Sequence, residues 1–260
     1  MNTVSEAVIL MAGSGSRLRG SDETFLKPLV LILGRPLICY ITDALIDAGI
    51  SKVSFIVGYQ SERLRAAIVK LVPPKLESVF VENPRWQKQN GISLLAAADR
   101  LSAPFLLAMS DHLFDNVIVD LLIKSADVDL LNLAADRKID SIFDLDDAMK
   151  VQIRGSRVVT IGKNLPDYDA IDTGLFVCPP EIFTYLERAK QNEDCSLADG
   201  VRLMAADGKV RAVDIGAAWW QDIDTPEMLA CAEQHLRKRT PRQATESISA
   251  STQSGDKSEQ

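Results

Sequence analysis

The chain has 260 residues, 47% of them hydrophobic and 25% charged, which is the composition of an ordinary folded domain and neither disordered nor fibrous. A chain of this length buries roughly 70 to 75% of the surface its unfolded form exposes, so the core needs no disulfide or structural metal. Its 29 basic and 36 acidic side chains give a formal net charge of −7, which argues against a nucleic-acid or anionic-membrane surface and leaves a small anionic ligand held by a few local cations.

Met1–Glu6 lacks the basic flank of a secretory signal, and the apolar Ala7–Ala12 run is too short for its apolar core. No stretch approaches the roughly 20 apolar residues of a membrane span, so the expected location is the cytoplasm. Ala7–Met11 reads as a buried first strand ending in glycines, and Pro36–Ala48 carries apolar residues at helical spacing before the stop at Gly49. Lys52–Val57 reads as a strand, Ser61–Leu71 as a helix capped by Ser61, and Ser78–Val81 as a short strand. Asn90–Asp99 reads as a helix, and Pro104–Met109 as a buried strand that stops at Ser110-Asp111-His112. From about Asp129 the pattern turns hairpin-like, with Lys150–Ile153 and Val158–Ile161 flanking Gly155-Ser156. Ile171–Val177 and Val210–Ile215 follow as strands, and Pro180–Lys190, Leu197–Ala205 and Pro226–Arg239 as helices.

This alternation predicts an α/β fold: a mostly parallel central sheet with helices on both faces, plus a small antiparallel lobe. One domain is expected over residues 1–239, with a nucleotide-binding half at about 7–128 and an acceptor-binding half at about 129–239. Residues 240–260 are too polar to repay their ordering entropy and are expected to form a disordered tail.

Ligands of open parallel sheets collect at the carboxyl ends of the strands, which singles out the loop after Met11 and the Ser110–His112 turn. Leu10-Met11-Ala12-Gly13-Ser14-Gly15-Ser16-Arg17 places two glycines directly after a strand, where bare amides can approach phosphate oxygens. A dinucleotide fingerprint fails, because its third glycine would fall at Leu18, and a Walker lysine is missing. Arg17 and, some ten positions on, Lys27-Pro28-Leu29 supply two cations able to converge on a triphosphate.

Leu10–Leu18 followed by Lys27-Pro28-Leu29 resembles the nucleotidyltransferases of GT-A-like fold, which open with LxAGxGxRL and then KPL. The resemblance implies that Leu10, Met11, Ala12, Gly13, Gly15 and Ser16 hold a nucleoside triphosphate. It also implies that Arg17 and Lys27 are catalytic, offsetting charge on the transferring phosphoryl group and the departing pyrophosphate. Met11 stands where many relatives carry alanine, and Gly20–Thr24 form a longer polar stretch than in some.

Cys39, Cys178, Cys195 and Cys231 form no CxxC pair, and His112 and His235 are too few for a multi-histidine centre, so oxygen ligands and Mg²⁺ are the expected metal chemistry. The Ser-Asp-His turn and Asp222-Ile223-Asp224-Thr225-Pro226-Glu227 resemble the metal motifs of the same family, ranking Asp111 first, then Asp224, then Asp222. Asp224-Thr225-Pro226 also reads as a helix start. In-line attack by a substrate phosphate needs no general base, so His112 reads as a turn residue.

Asn83-Pro84-Arg85-Trp86 with Gln89–Leu94 resembles the family's base-reading segment, implying contacts from Asn90, Gly91 and Ser93 to base or ribose; helix capping is the alternative, and Trp86 reads as packing. Asp146–Val151, Ile161–Leu165, Tyr168–Phe176 and Ser196–Gly200 resemble inositol-1-phosphate cytidylyltransferases, over nearly all of Val8–Leu236. That implies an acceptor site with Lys163 on the phosphate and Asp172, Thr173 and Gly174 at the polyol; the alternatives are a solvated turn lysine at Lys163 and a cap or turn partner at Asp172. Some family members carry a fused membrane alcohol-phosphotransferase, which is not expected here. The expected reaction joins CTP and a phosphorylated alcohol, inositol 1-phosphate, with Mg²⁺, giving CDP-inositol and pyrophosphate. Its alternatives are phosphocholine, a phosphonate or a sugar 1-phosphate with CTP, UTP or GTP, or a non-catalytic nucleotide-binding module. The expected partners are these small molecules, without nucleic acid or membrane insertion; a homodimer is compatible with the sequence.

Overall fold

The computed structural model describes residues 4–19, 22 and 24–239. The expected tail over residues 240–260, and Gly20, Ser21 and Glu23 of the polar stretch before Lys27, lie outside the described residues. In chain order the strands are β1 (Glu6–Leu10), β2 (Leu31–Ile32), β3 (Arg35–Pro36), β4 (Lys52–Val57), β5 (Glu77–Glu82), β6 (Phe105–Met109), β7 (His112–Phe114), β8 (Leu131–Asp136), β9 (Lys150–Arg154), β10 (Arg157–Gly162), β11 (Ala170–Cys178), β12 (Val210–Asp214) and β13 (Trp220–Asp222). The helices are α1 (Ser16–Arg19), α2 (Leu37–Asp47), α3 (Ser61–Leu71), α4 (Asn90–Leu95), α5 (Asn116–Ser125), α6 (Ile182–Ala189), α7 (Leu197–Ala206) and α8 (Pro226–Arg239).

One nine-stranded sheet runs in the order β5-β4-β1-β6-β11-β8-β12-β10-β9. Its first four strands are parallel; β11 enters antiparallel to β6, and the β9–β10 hairpin forms the far end, so the antiparallel lobe is continuous with the parallel half. Side chains of β1 alternate between two apolar layers, as the period of a strand requires: Ala7 and Ile9 on one face, Val8 and Leu10 on the other. Buried residues of α2, α3, α5 and α8 cover the first face, and those of α4, α6 and α7 the second. No helix among the described residues is long and apolar enough to cross a membrane.

The chain leaves β1 for β4 and β5 on one side and returns to β6 on the other. The sheet order therefore reverses beside β1, opening a crevice at the carboxyl ends of β1 and β6. A small second sheet pairs β7 with β13, setting Asp222 opposite His112, and the Ile223 amide donates to the Asp111 carbonyl at 2.8 Å. That pairing carries a segment over a hundred residues away in sequence to the end of β6. On β11 the register against β8 shifts between Asp172 and Phe176, and Gly174 there takes φ of 75°, a bulge of the kind that re-aims side chains next to functional sites.

Several expectations change. Ser61 is the first helical residue of α3 and not its cap; its hydroxyl donates to Glu82 at 3.1 Å, while Gln60 precedes it in the left-handed region. The Asn90–Asp99 helix stops at Leu95 and tightens into a 3-10 turn over Ala98–Arg100. No element is expected between Met109 and Asp129, yet β7 and α5 lie there, α5 burying Ile118, Val119, Leu122 and Ile123. Strand β8 is also unexpected, because two of its buried residues are polar. Asn132 is satisfied by Asp127 and Leu130, and Asp136 by Lys138 and the Trp220 indole.

Gly91 in α4 lies against the segment leading into α7, where an added Cβ would stand 2.6 Å from the Cys195 carbonyl oxygen and 2.8 Å from the Ser196 backbone. Those are backbone atoms of a packed element, so Gly91→Ala is expected to lower unfolding free energy by about 1–3 kcal/mol. Urea denaturation with an unchanged midpoint would contradict this packing.

Candidate active site

A cleft of about 510 Å³ opens at the carboxyl end of the parallel half. Leu10, Met11, Ala12, Gly13, Gly15 and Arg17 form its floor and one wall, and Lys27, Asn90, Ser93, Asp111 and Asp224 complete it. Gly15 has φ of 61°, and a Cβ there would meet the Lys27 Cβ at 2.8 Å, so glycine allows both the turn and the close passage of the lysine stem. A Cβ at Gly13 meets no described atom within 4 Å, so the loop is open on that side, and Gly13 lines the cleft. Ser16 begins α1, and its side chain is outside the described structure.

Lys27 lies on the 3-10 turn Lys27–Leu29 with Pro28 next to it, and is only 9% exposed. Its ammonium donates to Asp111 Oδ2 at 2.8 Å and to Asp224 Oδ1. Burial disfavours the charged ammonium, but the two carboxylates outweigh it and hold Lys27 above its ordinary range. Burial would likewise raise the Asp111 carboxyl, yet Lys27 and His112 drive it well below the carboxylate range. Asp224 is 4% exposed and also takes the Arg17 guanidinium. It does not cap α8; Thr225 does, accepting the Met228 amide at 3.3 Å.

The same chain of charges continues outward. Arg17 donates to Asp147 Oδ2 at 2.6 Å, and the other oxygen of Asp147 takes the Lys163 ammonium. Carboxylates and cations thus alternate from Asp111 through Lys27, Asp224, Arg17 and Asp147 to Lys163. His112 bonds its neighbour, as the turn reading expects: its Nδ1 meets Asp111 Oδ1 at 2.7 Å, and its ring stacks on Trp220 with centroids 5.7 Å apart.

Lys163 and Asp172 line a second cleft of about 570 Å³ that shares Asn90 and Met109 with the first. Arg202, His112 and Gly174 also face it. Asp172 accepts the Gly174 amide at 2.8 Å; burial dominates that bond and the nearby His112, pushing its carboxyl up to about 7. Gly174 passes His112 so closely that a Cβ would stand 2.9 Å from the ring.

Some expected site residues point elsewhere. Thr173 is fully buried with its hydroxyl on the Ala134 carbonyl, and Gly91 packs on the approach to α7, so neither lines a cleft. Asn90 faces both clefts, while its Oδ1 accepts the Leu197 amide at 2.8 Å; Ser93 faces the first, with Oγ bonded to Asn83 at 3.0 Å. Trp86 packs edge-on against Tyr59 and also walls the first cleft, which a packing role alone does not describe. Asp222 lines neither cleft; it accepts from Gln221 at 2.8 Å, and burial raises its carboxyl. Arg202 is not singled out by the sequence reading, and Asp147 enters it only as part of the Asp146–Val151 motif, with no role of its own.

Among the described residues, no three His, Cys, Asp or Glu side chains cluster as a metal cage. Asp111 and Asp224 nevertheless converge on a single cationic position, that of the Lys27 ammonium. Two carboxylates suit Mg²⁺, which keeps waters and takes substrate phosphates as its remaining ligands, and do not suit a zinc cage.

Residues 7–139 match the MobA-like NTP transferase domain. The chain is 30% identical over 238 residues to a bifunctional IPC transferase and DIPP synthase of Aquifex aeolicus, covering 90% of this chain and 52% of that protein. It is 33% identical over 231 residues to the protein of the same name from Rubrobacter xylanophilus, covering 88% of this chain and 51% of that protein. The chain therefore spans about half the length of these curated relatives. Its fold matches the structure of the inositol-1-phosphate CTP transferase from T. maritima with a TM-score of 0.78 and 26% identity, covering 89% of this chain and 97% of that one. The UDP-glucose pyrophosphorylase of Acinetobacter baumannii shares the fold, with a TM-score of 0.76 at 17% identity over 92% of this chain and 95% of that one.

From sequence, Lys27→Ala is expected to remove turnover far more than stability; its burial between two carboxylates changes that expectation. Lys27→Met is expected to lose about 3 kcal/mol at neutral pH, because Asp111 and Asp224 then lose the cation between them and keep only His112 and the half-exposed Arg17 as partners. The sign with pH distinguishes this from a cavity. A depressed Asp111 contributes wild-type stability at pH above the ordinary carboxylate range and loses it on acidification. The variant is expected to regain stability on acidification and to gain more from Mg²⁺ than wild type does, in thermal unfolding at pH 4 to 8. A loss independent of pH and of Mg²⁺ would contradict the pairing.

Proposed function

This chain belongs to the MobA-like NTP transferase domain family, and we propose that it is a cytidylyltransferase that joins CTP to inositol 1-phosphate, forming CDP-inositol and pyrophosphate. The observation that carries this reading is the pair of clefts meeting at Asn90 and Met109, one walled by the glycine loop and Lys27, the other by Lys163 and Asp172. Two anions bound there would approach each other end-on. The names of the relatives supply the base and the alcohol: the T. maritima protein is called an inositol-1-phosphate CTP transferase, and the Aquifex and Rubrobacter proteins IPC transferases. On this reading residues 7–128 form the nucleotide half and 129–239 the acceptor half.

The glycine loop amides and Arg17 would receive the triphosphate, with Lys27 turning from its carboxylates toward phosphate oxygens. Lys163 would hold the acceptor phosphate, and Asp172 would bond the polyol hydroxyls. An acceptor phosphate oxygen then attacks the α-phosphorus in line; the new phosphorus–oxygen bond forms as the bond to the β-phosphate oxygen breaks, and pyrophosphate leaves with the electron pair. The nucleophile is already an anion, so no base is required, and positioning with charge neutralisation carries the rate. Asp111 and Asp224 would hold Mg²⁺, with Asp222 beside them; when bound, the ion supplies charge neutralisation at the reacting phosphates.

The test is pyrophosphate release with Mg²⁺, each ribonucleoside triphosphate in turn, and inositol 1-phosphate, glucose 1-phosphate, phosphocholine and a phosphonate as acceptors. Release confined to CTP with inositol 1-phosphate is expected, and release with another pair would replace the substrate assignment.

Asp172 adds a pH signature. Its carboxyl titrates near 7 in the fold and near 4 in the unfolded chain, so its contribution favours folding fully below about 4, declines between 4 and 7, and is absent above. Asp172→Asn is expected to remove that decline in a denaturation series across pH. In wild type, KM for the acceptor is expected to rise as pH falls below 7, since a protonated carboxyl accepts fewer hydroxyls. A pH-independent acceptor KM would contradict the role given to Asp172.

A further inference from the structure

Asp147 has no part in the reaction described above, yet it joins the two clefts. It lies on the turn ahead of β9, its amide bonded to Asp144 Oδ1 at 3.2 Å. One of its oxygens accepts from Arg17, which walls the first cleft, at 2.6 Å; the other accepts from Lys163, which walls the second. The three side chains are 58%, 37% and 48% exposed in the order Arg17, Asp147, Lys163, so each pair is individually weak and exchangeable. Phosphate oxygens offer Arg17 and Lys163 more charge than one shared carboxylate does.

We propose that Asp147 is a positioning residue that couples the two substrate sites, holding Arg17 and Lys163 together until an anion displaces it from both. The inference rests on the reading that a triphosphate reaches Arg17 and an acceptor phosphate reaches Lys163. A triphosphate beside Arg17 brings negative charge against Asp147, and the carboxylate that moves away from Arg17 also releases Lys163. The free energy of displacing it is common to both binding events and falls on the first. The second anion meets a lysine already free, which is positive coupling through a shared conformational step. Asp224, the other anion on Arg17, does not act this way: it is buried and its second cation is Lys27 of the same cleft.

The test compares the full chain with Asp147→Asn and Asp147→Ala, both on an accessible turn where the fold is retained. Equilibrium binding of the α,β-methylene analogue of CTP, which cannot release pyrophosphate, is measured with Mg²⁺ in the absence and presence of saturating inositol 1-phosphate. In wild type the acceptor is expected to tighten the analogue by about fivefold or more. In both variants the analogue alone is expected to bind more tightly than to wild type, and the effect of the acceptor to fall to about onefold. The same coupling in all three proteins would overturn the proposal. So would weaker binding of the analogue alone to the variants, the result of a merely supportive contact. Inorganic pyrophosphate and inorganic phosphate serve as a second pair of probes. Coupling between them that vanishes in Asp147→Asn supports the role of Asp147 even where another nucleotide or alcohol proves to be the substrate. Failure of wild type to bind any of these anions removes the substrate reading, and the proposal with it.

Discussion

The position of Lys27 is the constraint on which the rest of the molecule depends. Its ammonium is buried between Asp111 at the end of β6 and Asp224 on the approach to α8, so three segments distant in sequence must meet at one atom. Omitting any of the three removes one of the opposite charges that hold the others in a poorly solvated place, an outcome more costly than the pair is stabilising. Gly15 lacks a Cβ where the lysine stem passes, and the β7–β13 pairing exists to bring Asp224 within reach. On the proposed reading, the same atoms that fix the fold would also furnish the cation and carboxylates that phosphoryl transfer requires.

The sheet supplies the second condition. Reversal of strand order beside β1 opens the crevice that becomes the first cleft, and the antiparallel entry of β11 next to β6 sets Asp172 and Gly174 at the same end. The bulge on β11 lets Thr173 turn into the core while Asp172 faces the second cleft. Parallel and antiparallel strands therefore contribute one cleft each, and their shared wall at Asn90 and Met109 is where two anions would react.

Much of this was legible in the sequence, for physical reasons. Two glycines after an apolar run, then Arg17 and Lys27, point to an anion site in the sequence, and the structure brings them together with Asp111 and Asp224. Strand β6 declares itself through a continuous apolar run. Strand β8 does not, because it buries the polar Asn132 and Asp136, the first satisfied by the turn at Asp127–Leu130 and the second by the Trp220 indole from far along the chain. Gly91 and Thr173 carry the right motif positions, yet the packing of Gly91 and the direction of the Thr173 hydroxyl depend on tertiary neighbours that no spacing reveals. Asp147 stands in a recognised motif, but its role does not show until the fold places it between two cations from segments far apart in sequence, Arg17 and Lys163.

The account claims that cations now paired with carboxylates are the ones that receive the substrate phosphates. A structure of the chain with CTP and Mg²⁺ bound tests that claim most directly. The account predicts the triphosphate along the Met11–Gly15 loop, Arg17 and Lys27 on its oxygens, and the α-phosphorus turned toward the wall at Met109 and Asn90. A nucleotide seated in the other cleft, with the Lys27 pairs to Asp111 and Asp224 intact, would contradict it.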